Sequence, residues 1–552
     1  MPAASRAHHL QAGSESSATR RSVVDDLLAE LRERAATAED PRPVELIETH
    51  ISWVLLGPEV YKIKKPVTLP FLDFASFEAR ERACRTEVRI NRRLAPRTYL
   101  GVVPIRRRSD GHFTFRAGGA IVEWAVQMRR LDDERRADVL LARGALSRDH
   151  VDALAVAIAA FHADSASTLR IARYGAPEIV ERNVVDNFAA LRASPVELVP
   201  DAVVSEIERG QSEFVRDHRD LFERRMIDGA IRDGHGDLRL EHVFLHEHDD
   251  DFEVIDGIEF DDRYRFADTC ADIAFLAMDL ARLGRVDLAE RFVAMYARAA
   301  NDFELYRLLD FYESYRACVR AKIAASTLAR DGVPDDTAKA AHADARRYLV
   351  LAQSARRRSV LDPVLVAVAG GIASGKSSVA ARLGDELSAP IVDADRTRKH
   401  MLGLAPTAHP VAAKAWEGAY DRAFSDRVYD EVLRRADAVL TSGRPVIVDA
   451  SFRSATARAA VRELAKAHRV PFRLLECAAP VELCRARLAA RERATSVSDA
   501  TPEILDAFVA AYEPITELDA TEHIRVDTSG ELEYAVHQVK REIETWPRGL
   551  LR

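Results

Sequence analysis

Apolar positions change period several times along this chain. Val23, Val24, Leu27, Leu28 and Leu31 recur at three- and four-residue intervals and predict one face of a helix. After the turn EDPRP, the runs HISWVLLG and EVYKIKK, split by Gly-Pro and rich in β-branched and aromatic residues, predict two strands of one hairpin. FEARERACRTEVRINRRLA predicts a long polar helix, and YLGVVPIRRR with HFTFRAGGAIVEWAVQM predicts further strand. From 147 to about 355 the pattern is mainly helical, interrupted by the loop-and-strand segment HGDLRLEHVFLHEHDDDFEVIDGIEF. A small sheet-rich lobe followed by a larger helical lobe is the expectation.

Residues 355–362, ARRRSVLD, read as a charged link, and a domain boundary is expected near 358. Beyond Pro363 the apolar runs VLVAVAG, PIVDA, PVIVDAS and PFRLLECA alternate with the amphipathic segments SVAARLGDEL, YDEVLRRADAVLTSG and ARAAVRELAKAH. Such alternation is the mark of a parallel sheet with crossover helices. The fold class expected is therefore α+β followed by α/β. Residues 1–20 form a disordered tail, 21–355 one domain and 360–548 a second.

Length agrees with that division, since a chain of 552 residues exceeds what one hydrophobic core usually holds. Apolar residues at 47% and charged residues at 30% belong to a globular chain, with neither a secretory h-region nor a membrane span, so a cytoplasmic protein is expected. Acidic side chains, 88 against 80 Lys plus Arg, give a formal charge of −8, so any anion site must be local and no general affinity for nucleic acid or membrane follows. Cys84, Cys270, Cys318, Cys477 and Cys484 show no zinc-ligand spacing and read as reduced structural thiols.

The most specific chemistry lies in GGIASGKS. Gly370, Gly375, Lys376 and Ser377 fit GxxxxGK[ST] between a buried strand and a helix, where backbone N–H groups and the helix dipole cradle phosphates. Gly371, Ser374 and Ser378 complete the expected ATP-binding loop, with Lys376 on the β and γ phosphates and Ser377 on magnesium. VIVDAS puts Asp449 where a carboxylate holds that magnesium. Asp395, followed by Arg396 and Arg398, follows the strand PIVDA at the sheet edge where ligands bind.

These residues resemble the small P-loop kinases of the shikimate, gluconate and zeta-toxin kind. The resemblance implies that Asp395 contacts the acceptor hydroxyl. It also implies an arginine-bearing lid in LCRARLAARERA, with Arg485, Arg487, Arg491 and Arg493, of which Arg487 and Arg491 are candidates for the nucleotide.

In the first domain, HGD places Asp237 before an apolar strand, and a second strand ends in Asp256, a pair suited to taking a proton and holding magnesium. Upstream, Lys62 and Lys64 share one strand face and Glu87 lies on the following helix; either lysine could pair with it. This order, together with FHADS around His162, resembles aminoglycoside and choline phosphotransferases. The resemblance implies Asp237 as catalytic base and Asp256 as main magnesium ligand. His242 stands at the second metal position, where the family has Asn, and imidazole suits hard magnesium poorly.

The two domains in this order, and FLDFASFEARERACRTEVRINRRLAPRTYLGVVPI in particular, resemble an uncharacterised bacterial family of aminoglycoside phosphotransferase-like proteins fused to an ATP-binding domain. The function expected is a bifunctional MgATP-dependent kinase acting on a hydroxyl of a small molecule such as a sugar, aminosugar or aminoglycoside. The alternatives are a P-loop kinase governed by a pseudokinase module and a nucleic-acid end kinase. Charge and the lack of aromatics among the arginines argue against the latter.

Overall fold

The computed structural model describes residues 17–36, 43–49, 51–69, 72–246, 248, 250–329, 333–354, 362–408, 417–491 and 502–542. Residues 1–16 of the expected tail and the expected boundary at 358 therefore lie outside the described residues. The chain forms two compact units, one of Met1–Leu140 with Glu241–Glu247 and Asp251–Arg265, the other of the remainder.

The first unit is built on a six-stranded antiparallel sheet. Its strands are β1 (Glu45–Glu48), β2 (Ser52–Leu56), β3 (Glu59–Lys64), β4 (Tyr99–Arg107), β5 (Phe113–Thr114) and β6 (Ala120–Arg129), in the order β1-β2-β3-β6-β4-β5. β2 and β3 are the expected hairpin, with Val54 opposite Lys62. Strand parity sorts the side chains. Leu55, Tyr61 and Ile63 pack with Val24, Leu27, Leu28 and Leu31 of α1 (Ser17–Ala36), the apolar face read from the sequence. Val60, on the other parity, packs with Cys84 and Val88 of α2 (Phe77–Asn91), whose N-terminus is capped by Ser76. Lys62 and Lys64 share the parity of Val60 and so point toward α2. The expected loop-and-strand segment contributes β7 (Val243–Leu245) and β8 (Phe252–Val254), an antiparallel pair.

The second unit begins with helices, among them α3 (Arg148–Asp164), α4 (Thr269–Arg282), α5 (Val286–Ala300) and α6 (Tyr306–Leu328). α4 is buried along most of its length. Its N-cap, Asp268, accepts from the Cys270 N–H and pairs with buried Arg225 at 2.6 Å. Asp262 pairs with Arg265 and Asp279 with Arg282, each three residues on. Arg225 lies 43 residues from Asp268 in the chain, beyond the reach of local charge patterning.

The same unit ends in a parallel five-stranded sheet of β9 (Leu365–Gly370), β10 (Ile391–Asp393), β11 (Val446–Asp449), β12 (Phe472–Ala478) and β13 (His523–Asp527), in the order β10-β11-β9-β12-β13. The first four are the strands expected from the alternating pattern. Its helices include α7 (Lys376–Leu387), α8 (Ala394–Met401), α9 (Arg422–Thr441), α10 (Ala455–His468) and α11 (Val481–Arg491). β9 is buried at every position, which is why it reads as a continuous apolar run. Just before β11, the fully buried Arg444 donates to Glu290 of α5 at 2.9 Å and to Asp310 of α6 at 3.0 Å. A buried guanidinium is tolerable here because its charge is matched by two carboxylates.

None of the described helices is long and apolar enough to cross a membrane. All five cysteines are buried and unpaired by disulfide.

Candidate functional site

The loop after β9 has the backbone that its glycines permit. Gly370 and Gly375 take φ of 142° and 90°, and Ala373 takes 57°. A Cβ on Gly370 would lie 2.5 Å from Ser374 Oγ and 2.7 Å from the Cys477 carbonyl oxygen, so only glycine fits. Gly371 faces open space instead. Lys376 and Ser377 open α7, and the Ser378 N–H bonds back to the Gly375 carbonyl at 3.1 Å.

Carboxylates converge beside this loop. Asp393 and Asp449 end neighbouring parallel strands in register, and Asp395 follows on α8. Burial and the nearby Asp393 push the Asp449 carboxyl up to about 7, against the pull of Lys376 and a hydrogen bond with Ser377. Asp449 Oδ1 and Ser374 Oγ are enclosed and have no hydrogen-bond partner. Such enclosed polar atoms are what a bound metal and phosphates would satisfy. Among the described residues no set of three or more His, Cys, Asp or Glu is arranged to hold a bare metal ion. Magnesium, which keeps waters and phosphate oxygens and needs one or two protein ligands, fits Ser377 with Asp449.

Arg487 of α11 donates to the Ala373 carbonyl at 3.3 Å and to the Thr528 carbonyl at 2.6 Å, so its guanidinium braces the phosphate loop. Arg485 pairs with Asp506 at 2.8 Å. The side chain of Arg491 and the whole of Arg493 lie outside the described residues. Asp393 went unnoticed in the sequence although it stands two residues before Asp395 in IVDAD. Its signal was the shared position at a strand end with Asp449.

In the first unit, Lys62 Nζ lies 2.9 Å from Glu87 and 2.7 Å from Asp256, and Lys64 Nζ lies 2.5 Å from Glu87 and also pairs with Glu259. Both lysines thus reach the glutamate, but only Lys62 reaches Asp256. Lys64 is 1% exposed and shut between two buried carboxylates. Burial would lower the Lys62 ammonium, yet Asp256 and Glu87 hold it well above the usual lysine range. Lys62 in turn holds Asp256 well below the usual carboxylate range. Burial and the neighbouring Glu87 raise Glu259, whereas the two lysines keep Glu87 low despite its burial.

The Asp256 backbone is left-handed, φ 63°, and the loop is pinned by N–H bonds from Asp256 to Tyr99 Oη at 3.2 Å and from Gly257 to Asn91 Oδ1 at 2.8 Å. His242 Nε2 lies 3.9 Å from Asp256 Oδ2. Tyr99, Asn91 and Glu259 were missed in the sequence, because each acts through a contact with no local spacing rule.

Asp237 and its surroundings belong to the second unit. Asp272 of α4 accepts the N–H groups of His235 at 2.7 Å and Gly236 at 2.9 Å, and also lies 3.3 Å from His162 Nε2. His162 bonds Tyr296 Oη through its other nitrogen at 2.7 Å. Seven residues on, Asp279 accepts the Leu240 N–H at 3.2 Å. One helix face therefore holds the backbone on both sides of Asp237, whose carboxylate has Arg239 Nε 3.2 Å away.

Residues 365–515 match the family model described as an AAA domain (AAA_33). Over 497 residues the chain is 35% identical to the uncharacterized protein Rv2004c of Mycobacterium tuberculosis, a match covering 90% of this chain and 94% of that protein. Among solved structures it is similar in fold to an ethanolamine kinase of Plasmodium vivax, at 11% identity over 59% of this chain and 86% of that one, with a TM-score of 0.35. It is likewise similar to a gluconokinase of Sinorhizobium meliloti, at 18% identity over 34% of this chain and 93% of that one, with a TM-score of 0.25.

Proposed function

This chain belongs to the family of the Mycobacterium tuberculosis protein Rv2004c, and from the sites just described we propose that it is a kinase transferring the γ-phosphate of ATP to a hydroxyl of a small molecule. The observation that carries the reading is the enclosed, unpartnered Asp449 oxygen beside Ser377 and Lys376 at the mouth of a glycine-shaped loop.

In this reading the N–H groups of Gly375, Lys376 and Ser377 cradle the phosphates, and the Lys376 ammonium offsets their charge. Ser377 and Asp449 would hold magnesium, which would supply positive charge to offset that of the phosphate oxygens. Asp395 takes the proton of the acceptor hydroxyl as its oxygen bonds to the γ-phosphorus. The bond from phosphorus to the bridging oxygen breaks and ADP leaves. Arg487 keeps the loop in shape through the Ala373 carbonyl.

The first unit supplies the elements of a second nucleotide site. Lys62, set by Glu87, and Asp256 would grip phosphates and metal. A second reading makes this part a binding module that transfers no phosphate. It is favoured by His242 beside Asp256 and by the direct Lys62 to Asp256 ion pair. Calorimetric titration of the whole protein with a non-hydrolysable ATP analogue and magnesium separates the readings. Two sites, one surviving Lys376→Ala, support two nucleotide domains; a single site abolished by that substitution supports the module. No binding at all would sink the kinase reading.

A further inference from the structure

Arg298, on the last turn of α5, and Arg396, on the first turn of α8, lie near enough for their charges to repel, where α5 packs against β10. Asn301, which ends α5 in a left-handed conformation, accepts from Arg435 Nη1 at 2.7 Å, and the same nitrogen donates to Thr397 Oγ1 at 3.0 Å. Arg435 is buried, so this bridge fixes the end of α5 against α8 and leaves the two arginines little freedom to part.

Neither arginine side chain makes an ion pair or hydrogen bond with any described residue, and each has an enclosed Nε without a partner. Burial and the positive charge of Arg298 pull the Arg396 guanidinium below its ordinary range, and only partial relief comes from Asp393. That carboxylate already caps α8 by accepting the Arg396 N–H at 2.9 Å. Arginine forks match carboxylate and phosphate oxygens in pairs, so two unsatisfied forks held together favour a doubly contacted oxyanion.

We propose that Arg298 and Arg396 form an oxyanion-binding subsite of the acceptor pocket, so that the molecule phosphorylated by the P-loop domain carries a carboxylate or phosphate as well as a hydroxyl. Asp393 and Asp395 lie on the same strand-to-helix junction, which places the anion and the reacting hydroxyl at one sheet edge. α5 then has a purpose beyond packing, because it supplies half of the subsite. The word acceptor rests on the kinase reading above; the anion site does not.

The test uses the full chain with its phosphate loop filled by magnesium and a non-hydrolysable ATP analogue. Inorganic phosphate and gluconate are titrated calorimetrically into wild type, Arg298→Gln and Arg396→Gln, with glucose as the neutral control. Wild type should bind at least one of the two anions and not glucose, and each variant should bind at least about tenfold more weakly. Without anion, the variants should melt no lower than wild type, since like charges have been separated. Lack of binding by both anions, undiminished binding in both variants, or a lowered melting temperature showing the arginines to be structural would each overturn the proposal. Repeating the phosphate titration on Lys376→Ala without nucleotide reads the subsite alone. If the ATP analogue fails to bind while this titration succeeds, the kinase reading falls and the anion site stands.

Discussion

The Lys62 ammonium lies 2.7 Å from the Asp256 carboxylate, so the two groups expected to grip a nucleotide's phosphates and metal neutralise each other directly. Lys64, two residues on, is instead closed in with Glu87 and Glu259. The two lysines should therefore respond differently to replacement. Lys64→Met leaves two buried carboxylates short of a counter-charge and should cost on the order of 3–5 kcal/mol, read by urea denaturation. Lys62→Met should unfold at nearly wild-type urea but lose nucleotide binding in the first unit, measured in a Lys376→Ala background.

Asp449 makes stability depend on pH. Its carboxyl titrates near 7 in the folded protein against an ordinary value of 3.8, so between about pH 4 and 7 the folded state holds more protons than the unfolded one. Stability from this group is complete below pH 4 and is lost as pH rises through 7. Asp449→Asn should thus stabilise the protein at pH 8 in the absence of nucleotide and metal by on the order of 2–4 kcal/mol, read as a raised melting temperature. The gain should vanish near pH 4. A melting temperature for the variant that tracks wild type at every pH would refute the buried-carboxylate account.

Asp272 holds the His235 and Gly236 N–H groups, and the neighbouring His162 holds its carboxylate. If Asp237 acts as a catalytic base, Asp272→Asn should lower kcat on the order of a hundredfold, about 3 kcal/mol, with KM for ATP little changed. Single-turnover kinetics in the Lys376→Ala background is the measurement.

Gly375 carries φ 90°, and a Cβ there would approach the Thr528 Cβ to 3.2 Å. Gly375→Ala should store strain on the order of 1–3 kcal/mol in the loop. The expected result is a loss of ATP-analogue affinity at the P-loop site with the far-ultraviolet dichroism of wild type.

Much of this architecture was legible in the sequence because it is carried by short periods. The α1 stripe at Val24, Leu27, Leu28 and Leu31, the β2–β3 hairpin, and the strands at 365–370 and 446–449 each announce a buried face through residues a few positions apart. Strand β13 was missed, since HIRVD is short and half exposed. The phosphate loop was legible for a different reason: its chemistry is built from consecutive backbone groups, so the glycines, Lys376 and Ser377 must be contiguous.

What the sequence by itself determined was therefore the chemistry available, namely the lysines, the glutamate, the paired aspartates and the phosphate loop. Tertiary structure alone decided how those groups are shared. It chose Lys62 over Lys64 as the partner of Asp256, gave Asp272 the backbone around Asp237, put Asp393 opposite Asp449, and brought Arg298 to Arg396. Charge interactions depend on distance and burial in space, and residues 36 to 194 positions apart in the chain acquire both only when the chain has folded.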